Sequence, residues 1–390
     1  MGVEPAQRAD RIIGYCTNVH AGRTLDELKH NLRRTAPAVR DELQLDGRLG
    51  IGLWLAAGVA REIVACHGAA DLSEWLADLG VEVFTINGFP YGDFHCRSVK
   101  HQVYEPDWRT PERLAYTVDL ARILSEIRLA PEAGISTLGL GWGPWLPADR
   151  DVAAAAANLL RAARALADME QETGVLIHLD LEPEPGCTLQ RAADVVQLFE
   201  RYLLTGTDDL LVRRHLRVCH DICHAAVMFE DQAAMLAAYD SIGVLVGKVQ
   251  VSSAVRARFD DADVDAVRSE LERFREQRYL HQTMVRCADG AEPVFYEDLP
   301  LALALARPAG EWRVHFHVPI FLERIGPLHT TADRIDEWLD LVRDRPEIRH
   351  FEVETYAWDV LPASLKGTLA RDIAAELRWL GTRLATGSCA

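Results

Sequence analysis

A chain of 390 residues, 49% of them apolar, has core enough for one large β/α barrel or two ordinary domains. No run resembles a membrane span, and 59 acidic against 42 basic side chains leave a formal charge of −17, which argues against general nucleic-acid binding. Eight cysteines without a C-x-x-C pair exclude a zinc ribbon or a disulfide framework as the organising device.

The amino terminus, MGVEPAQRAD, lacks the apolar stretch of a secretory signal and has Ala6 where a myristoylation site wants Ser or Thr. A cytoplasmic protein with reduced thiols is the expectation. Residues 12–19 (IIGYCTNV) predict a first strand ending at His20, after which Thr24 caps an amphipathic helix with Leu25, Leu28 and Leu32 on one stripe. Strands follow at 49–55 and 81–87. The third opens into a long loop, 88–110, whose aromatics suit a lid. Helix 111–128, strand 134–141, a WGPW loop and the Ala-rich helix 151–173 come next. Strand 175–182 runs into Pro183-Glu184-Pro185-Gly186, and helix 188–213 leads to a strand at 216–221. A helix near 230–240 and strand 244–252 continue the alternation.

There the rhythm breaks. Residues 253–330 carry a charged helix (261–277), a strand-like YLHQTMV, a helix near 298–306 and the stretch WRVHFHVP. Helix 331–344, strand 350–356 and helix 363–384 close the chain. Strands alternating with helices predict a parallel sheet with right-handed crossovers, and eight of them fit a (β/α)8 TIM barrel. One domain over 1–390 is expected, with 253–330 inserted between strand seven and its helix. A doubly wound sheet is the competing architecture. Against it, the first strand lacks a G-x-G-x-x-G turn, and polar groups cluster at many strand ends instead of one crevice.

The chemistry sits at those ends. Leu216–His224 (LRVCHDICH) presents Asp221 and His224 three residues apart, a hard oxygen and a borderline nitrogen suited to Zn²⁺, Mn²⁺ or Co²⁺. Most isolated D-x-x-H pairs are plain hydrogen-bonded loop residues, so the other strand ends carry the weight. Alternation puts His178, Asp180 and Glu182 on one face of strand five, with Glu182 at the tip because Pro-Glu-Pro-Gly cannot extend a ladder. Asp180, deeper, has the alternative of a hydrogen-bonded place inside the barrel. On strand eight Glu352, Glu354 and Tyr356 share a face, and an inward carboxylate costs several kcal/mol unless paired or metal-bound. The alternative for Glu354 is an outer face, bonded to a helix. Strand seven offers Lys248, Gln250 and Ser252, with Gln250 a weak ligand or a substrate partner. His315 and His317 point the same way if extended, and a satisfied core histidine is the competing role for one of them. His20, His95 and His281 stand at loop or strand-end positions.

LDLEPEPG, VCHDICH and FEVETY, in that order, resemble the xylose isomerase-like TIM-barrel superfamily of sugar epimerases, sugar-phosphate isomerases and barrel-type AP endonucleases. The resemblance implies one divalent metal ion (Mn, Zn, Co or Mg) held by Glu182, Asp221, His224, Gln250 and Glu354. More closely, YCTNVH, TINGFPYGDFH, HLDLEPEPG, CHDICH, GKVQVSSA, HFHVP and ETYAWDVLP resemble the metabolite traffic protein EboE family. That family belongs to a bacterial operon whose other members resemble a prenyltransferase, a sugar-phosphate cyclase and a metal-dependent hydrolase. One departure stands out: superfamily epimerases have a histidine where this chain has Gln250, a poorer ligand. The endonucleases bring a histidine from the insertion, which points to His317 as the residue completing the sphere.

The resemblance implies an isomerase or epimerase in which Glu182 and Glu354 exchange a carbon-bound proton of a sugar, a cyclitol or their phosphates. Phe89, Tyr91, Trp142, Trp145 and His95 would surround the substrate, and Lys248 or Arg97 would bind a phosphate. The expected partners are this small metabolite and other Ebo proteins, with no nucleic acid and no membrane insertion. A metal-dependent phosphoesterase and a non-catalytic metabolite carrier are the alternatives.

Overall fold

The computed structural model describes residues 11–260, 263–287 and 291–386; the amino-terminal segment read above for a leader lies outside them, as do the first two positions of the helix expected at 261–277. Short apolar runs make seven strands, β1 Ile12–Cys16, β2 Leu49–Leu53, β3 Val81–Asn87, β4 Glu132–Leu138, β5 Leu176–Glu182, β6 Leu216–Asp221 and β7 Val246–Val251. Six more follow before the chain returns, β8 Ser253–Arg258, β9 Thr283–Arg286, β10 Val294–Tyr296, β11 Glu311–Val318, β12 Arg324–Ile325 and β13 Leu328–Thr330, and the last is β14 His350–Val353. Strands β1 to β7 and β14 form a closed parallel barrel, in which β14 pairs with both β7 and β1. This is the TIM barrel that the alternation predicts.

The helices cover the barrel by their apolar stripes. Helix Leu25–Leu43 buries Leu28, Leu32, Ala36 and Val39, and starts where Thr24 Oγ1 accepts the Glu27 N–H. The single helix expected over 188–213 is divided into Ala192–Leu198, a π turn at Phe199–Leu203 and Asp209–His215. Thr205-Gly206-Thr207 interrupts it, a run of poor helix formers. No described helix is long and apolar enough to cross a membrane.

Inside the barrel, alternation along β5 aims His178 and Asp180 inward, where His178 Nδ1 lies 2.7 Å from Asp180 Oδ1. Nearby, Lys248 forms a fully buried ion pair with Glu352, and Lys248 Nζ also donates to Ser136 Oγ at 3.1 Å. Glycine makes this possible: a Cβ at Gly52 would collide with the Glu352 carboxylate, and one at Gly247 with Asp180.

Strands β8 to β13 make a second, antiparallel sheet in the order β10-β9-β11-β8-β13-β12. It is continuous with the barrel, because only Ser252 separates β7 from β8. On β11 the faces stay distinct although its pairing with β8 shifts register between Val314 and Val318. Trp312 and Phe316 pack against Phe259 and Phe274, while His315 and His317 face the barrel mouth, where both rings meet His224.

The 88–110 loop is pinned by one buried cation. Arg113, at the start of helix Pro111–Ile127, donates to the carbonyls of Gly88 (2.8 Å), Phe89 (3.0 Å) and Pro106 (2.8 Å). Its far stretch leans on the second sheet segment: the amides of Val99 and Lys100 donate to the Arg278 carbonyl, and Lys100 pairs with Asp298 at 2.6 Å.

Candidate metal centre and pocket

Three strand tips converge at the carboxyl end of the barrel. Ligand atoms of Glu182 (β5), Asp221 (β6) and Glu354, just past β14, all lie within 4.8 Å of one another. Glu182 and Glu354, with Glu184, His224, His315 and His317, line a pocket of about 530 Å³, its open mouth included. Asp221 and Glu354 are each held by one oxygen. Asp221 is the N-cap of the short helix Ile222–Val227, so its Oδ1 accepts the His224 N–H (2.8 Å) and the Ser252 hydroxyl (2.8 Å). Glu354 Oε1 accepts from the amides of Asn18 (2.7 Å) and Asn87 (2.9 Å). The free oxygens differ: Glu182 Oε2 and Asp221 Oδ2 are buried and have no hydrogen-bond partner.

The histidines complete the pattern. His224 Nδ1 lies 2.9 Å from the Pro183 carbonyl, His315 Nδ1 2.8 Å from Gln282 Oε1, and His317 Nδ1 2.7 Å from the Glu354 carbonyl. The Gln282 amide is oriented by its own Nε2, which donates to the Pro185 carbonyl and to Glu184. Since a carbonyl oxygen only accepts, each Nδ1 carries the ring proton and each Nε2 of a neutral ring is left with a lone pair. Those Nε2 atoms face inward. His224 and His315 meet Nε2 to Nε2 at 3.1 Å, and Asp221 Oδ2 lies 3.8 Å from His224 Nε2 and 4.0 Å from His317 Nε2. Lone pairs so placed repel one another unless a cation or a shared proton lies among them.

The ionisation of these groups follows their surroundings. Burial, with the neighbouring charges of Glu354 and Asp221, pushes Glu182 well above the usual carboxylate range. Burial and Asp221 push Glu354 up to about 8. Burial acts on Asp221 in the same direction, but His224, His317 and the His224 N–H outweigh it and hold this carboxyl low. Burial lowers His317 to about 4 and His315 well below the ordinary histidine value, keeping both rings neutral and able to coordinate.

The donor set therefore fits a divalent cation: buried oxygens without partners, neutral imidazoles oriented by backbone and amide acceptors, and spacings near those of a coordination sphere. A tetrahedral Zn²⁺ with bonds near 2.0–2.1 Å has its ligand atoms about 3.4 Å apart. Among the described residues four overlapping groups are available, an acidic one (Glu182, Asp221, Glu354) and three that are histidine-rich (Asp221, His224, His317; Glu184, His224, His315; Cys223, His315, His317).

Of the residues singled out in the sequence, Glu182, Asp221, His224, His317 and Glu354 come together, and Phe89 lines the pocket. Gln250 is fully buried, level in the ladder with Glu352 on one side and Asp221 on the other, and both its amide atoms are without a hydrogen-bond partner. Lys248 is committed to Glu352 inside the barrel and does not line the pocket. Tyr91 packs edge-on against Tyr116, Trp142 against His101 and Tyr104, and His95 Nε2 meets the Asn18 carbonyl; none of the three lines the pocket. Sequence reasoning missed Asn18, Asn87, Glu184 and Gln282. Asn87, as the last residue of a β-rich run, was the one with a readable signal.

No family model and no curated protein matches the chain. Among solved structures, a xylose isomerase-like TIM-barrel protein from Mycobacterium smegmatis in complex with magnesium is similar over 97% of this chain and 98% of its own, at 11% identity and a TM-score of 0.53. A D-tagatose 3-epimerase-like protein covers 96% and 97% at 12% identity, with a TM-score of 0.49. A probable 3-DHS dehydratase of petrobactin synthesis from Bacillus anthracis covers 95% and 98% at 14% identity, with a TM-score of 0.47. The fold is that of the xylose isomerase-like TIM barrels.

Proposed function

We propose that the chain is a metal-dependent isomerase or epimerase that moves a carbon-bound proton in a hydroxylated metabolite, and that it belongs to the EboE family, serving a pathway with the other Ebo proteins. One observation carries the reading: Glu182 and Glu354 stand on two strand tips of one buried pocket, each with one carboxylate oxygen not held by the protein's hydrogen bonds. Glu182, Asp221, His224, His317 and Glu354 would hold the ion, which when bound polarises a substrate carbonyl and orients an adjacent hydroxyl. One glutamate takes the proton from carbon as the C–H electron pair moves toward that carbonyl, and the other returns a proton on the opposite face. Asn18 and Asn87 fix Glu354 Oε1, so its Oε2 alone turns to the substrate. Loop 88–110 shields the site from water.

The test is solvent exchange. Wild-type protein with Mn²⁺ or Mg²⁺, incubated with keto-sugars and keto-cyclitols in D₂O, is expected to place deuterium on the carbon beside the carbonyl. A panel in which every compound stays unlabelled, with metal bound, defeats the proposal. A second reading, a metal-dependent phosphoesterase, draws on the histidine-rich donor group with Glu184 and His315. It requires more than one ion per chain and hydrolysis of a phosphodiester such as bis-p-nitrophenyl phosphate, neither of which the epimerase needs.

A further inference from the structure

The pocket is polar on its floor and apolar above it. Its hydrogen-bonding groups are the carboxylates, imidazoles and asparagines already described, gathered at the barrel mouth, together with the hydroxyls of Tyr104, Tyr279 and Tyr356. Above them the walls are Phe89, Phe94, Val99, Val103 and Leu280, supplied by the 88–110 loop and the chain just before β9. Two of the three tyrosine hydroxyls that line the pocket are spent within the protein. Tyr279 donates its hydroxyl to the Phe94 carbonyl at 3.2 Å, and Tyr104 donates to Glu184 at 2.9 Å. Charge tells the same story. Lys100 is the one lysine or arginine among the described residues lining the pocket, and its ammonium is taken by Asp298. Of the two cations considered for a phosphate, Lys248 is locked to Glu352 inside the barrel, and Arg97 is exposed and does not line the pocket.

A phosphorylated sugar needs an arginine or lysine fork, or free backbone amides at a helix start, to replace the water it gives up. A free polyol needs hydrogen bonds on every side, since each hydroxyl buried without one costs free energy. Above its floor this pocket offers no unpaired cation and, beyond the Tyr356 hydroxyl, no side-chain hydrogen-bonding group that is not already spent. We infer that the substrate is amphiphilic: an oxygen-rich head sits on the carboxylate and histidine floor, and an uncharged alkyl or aryl substituent fills the space between Phe94, Val99 and Leu280. This rests on the proposed function for what happens to the head, and adds what the rest of the molecule is.

Calorimetric titration of the full chain tests it, once loaded with Mn²⁺ and once stripped with EDTA. The probes share a head: methyl, hexyl and phenyl β-glucosides, with glucose 6-phosphate as the charged comparison. Burying a hexyl or phenyl group is expected to tighten binding at least ~30-fold over the methyl glucoside. The gain should vanish in Phe94→Ser/Leu280→Ser, or, if that variant does not fold, in Val99→Asn, while Mn²⁺ content stays at the wild-type level. Equal affinities for the three glucosides, tighter binding of glucose 6-phosphate, or no binding at millimolar concentrations to Mn²⁺-loaded protein would overturn the inference and leave the metal reading intact. An apolar preference that persists in protein unable to retain Mn²⁺ would uphold it and discard the metal reading.

Discussion

Replacing Asp221 by Asn separates metal binding from folding. The Asn oxygen can take over the two hydrogen bonds of Asp221 Oδ1, from the His224 N–H and the Ser252 hydroxyl, so the helix cap survives. Its NH₂ then replaces Oδ2 and offers a proton toward the Nε2 lone pairs of His224 and His317, at 3.8 and 4.0 Å. In the metal-free protein the substitution also relieves repulsion. Two ionised carboxylates at the 4.8 Å limit of this group repel by roughly 3 kcal/mol at an effective dielectric near 20, an amount that protonation of Glu182 or Glu354 lowers. Unfolding entropy for a chain of 390 residues is on the order of 0.8 kcal/mol per degree, so metal-free Asp221→Asn should melt at the wild-type temperature or up to ~4 °C above it. With an ion at about 100 times its dissociation constant, wild type gains about 2.7 kcal/mol, or ~3 °C, and the variant gains none. Thermal melts with EDTA, Mn²⁺ and Zn²⁺, run beside elemental analysis, read both effects. Equal metal-induced shifts in the two proteins, or a metal-free variant that melts well below wild type, would refute the reasoning.

Other perturbations follow from the same geometry. Glu354→Gln keeps an oxygen for Asn18 and Asn87 but cannot serve as a base; deuterium exchange should fall about 10²–10⁴-fold while ligand binding persists. Lys248→Met strands a buried carboxylate, so stability should drop by about 3–5 kcal/mol, with much of that recovered in Lys248→Met/Glu352→Gln; a double variant no better than the single in thermal melts would count against the buried pair. Burial pushes Glu376 up to about 7, above its unfolded value, so the folded protein binds the extra proton between about pH 4.5 and 7 and its stability falls as pH rises through that window. Glu376→Gln retains acceptors for Thr355 and Ile320, and melts at pH 5 and 8 should show a smaller difference than in wild type.

The barrel was legible because short β-rich runs alternate with helical stretches, and the tips of β5, β6 and the chain past β14 carry the acidic donors that converge. Depth along a strand was not legible. Alternation correctly gives Lys248, Gln250 and Ser252 one face, yet each residue rises about 3.3 Å, so Lys248 lies roughly 13 Å below the Ser252 that reaches Asp221. Similarity of face does not mean proximity to the mouth. Loop residues were harder still. Glu184 sits in a Pro-Glu-Pro-Gly run that reads as a plain turn, and Asn18 and Gln282 carry no spacing signal. Their roles arise from segments 98 and 336 positions apart in the chain, as in the Gln282–Glu184 and Asn18–Glu354 bonds. His315 and His317 were visible as a pair, but only the aromatic packing on the opposite face of β11 decides which way they look.

The sharing of imidazoles between barrel and second sheet has a mechanical consequence. His224 is anchored at the tip of β6, whereas His315 and His317 ride on β11, more than 90 positions later. A cation gripped by both parties is a rivet between two bodies of structure, and the free energy of its capture is spent partly on holding them together. Chelation should then loosen the seam before it unfolds either side. Residues 253–330 would become the first segment open to a protease, which makes limited proteolysis a gauge of metal occupancy that requires no knowledge of the substrate.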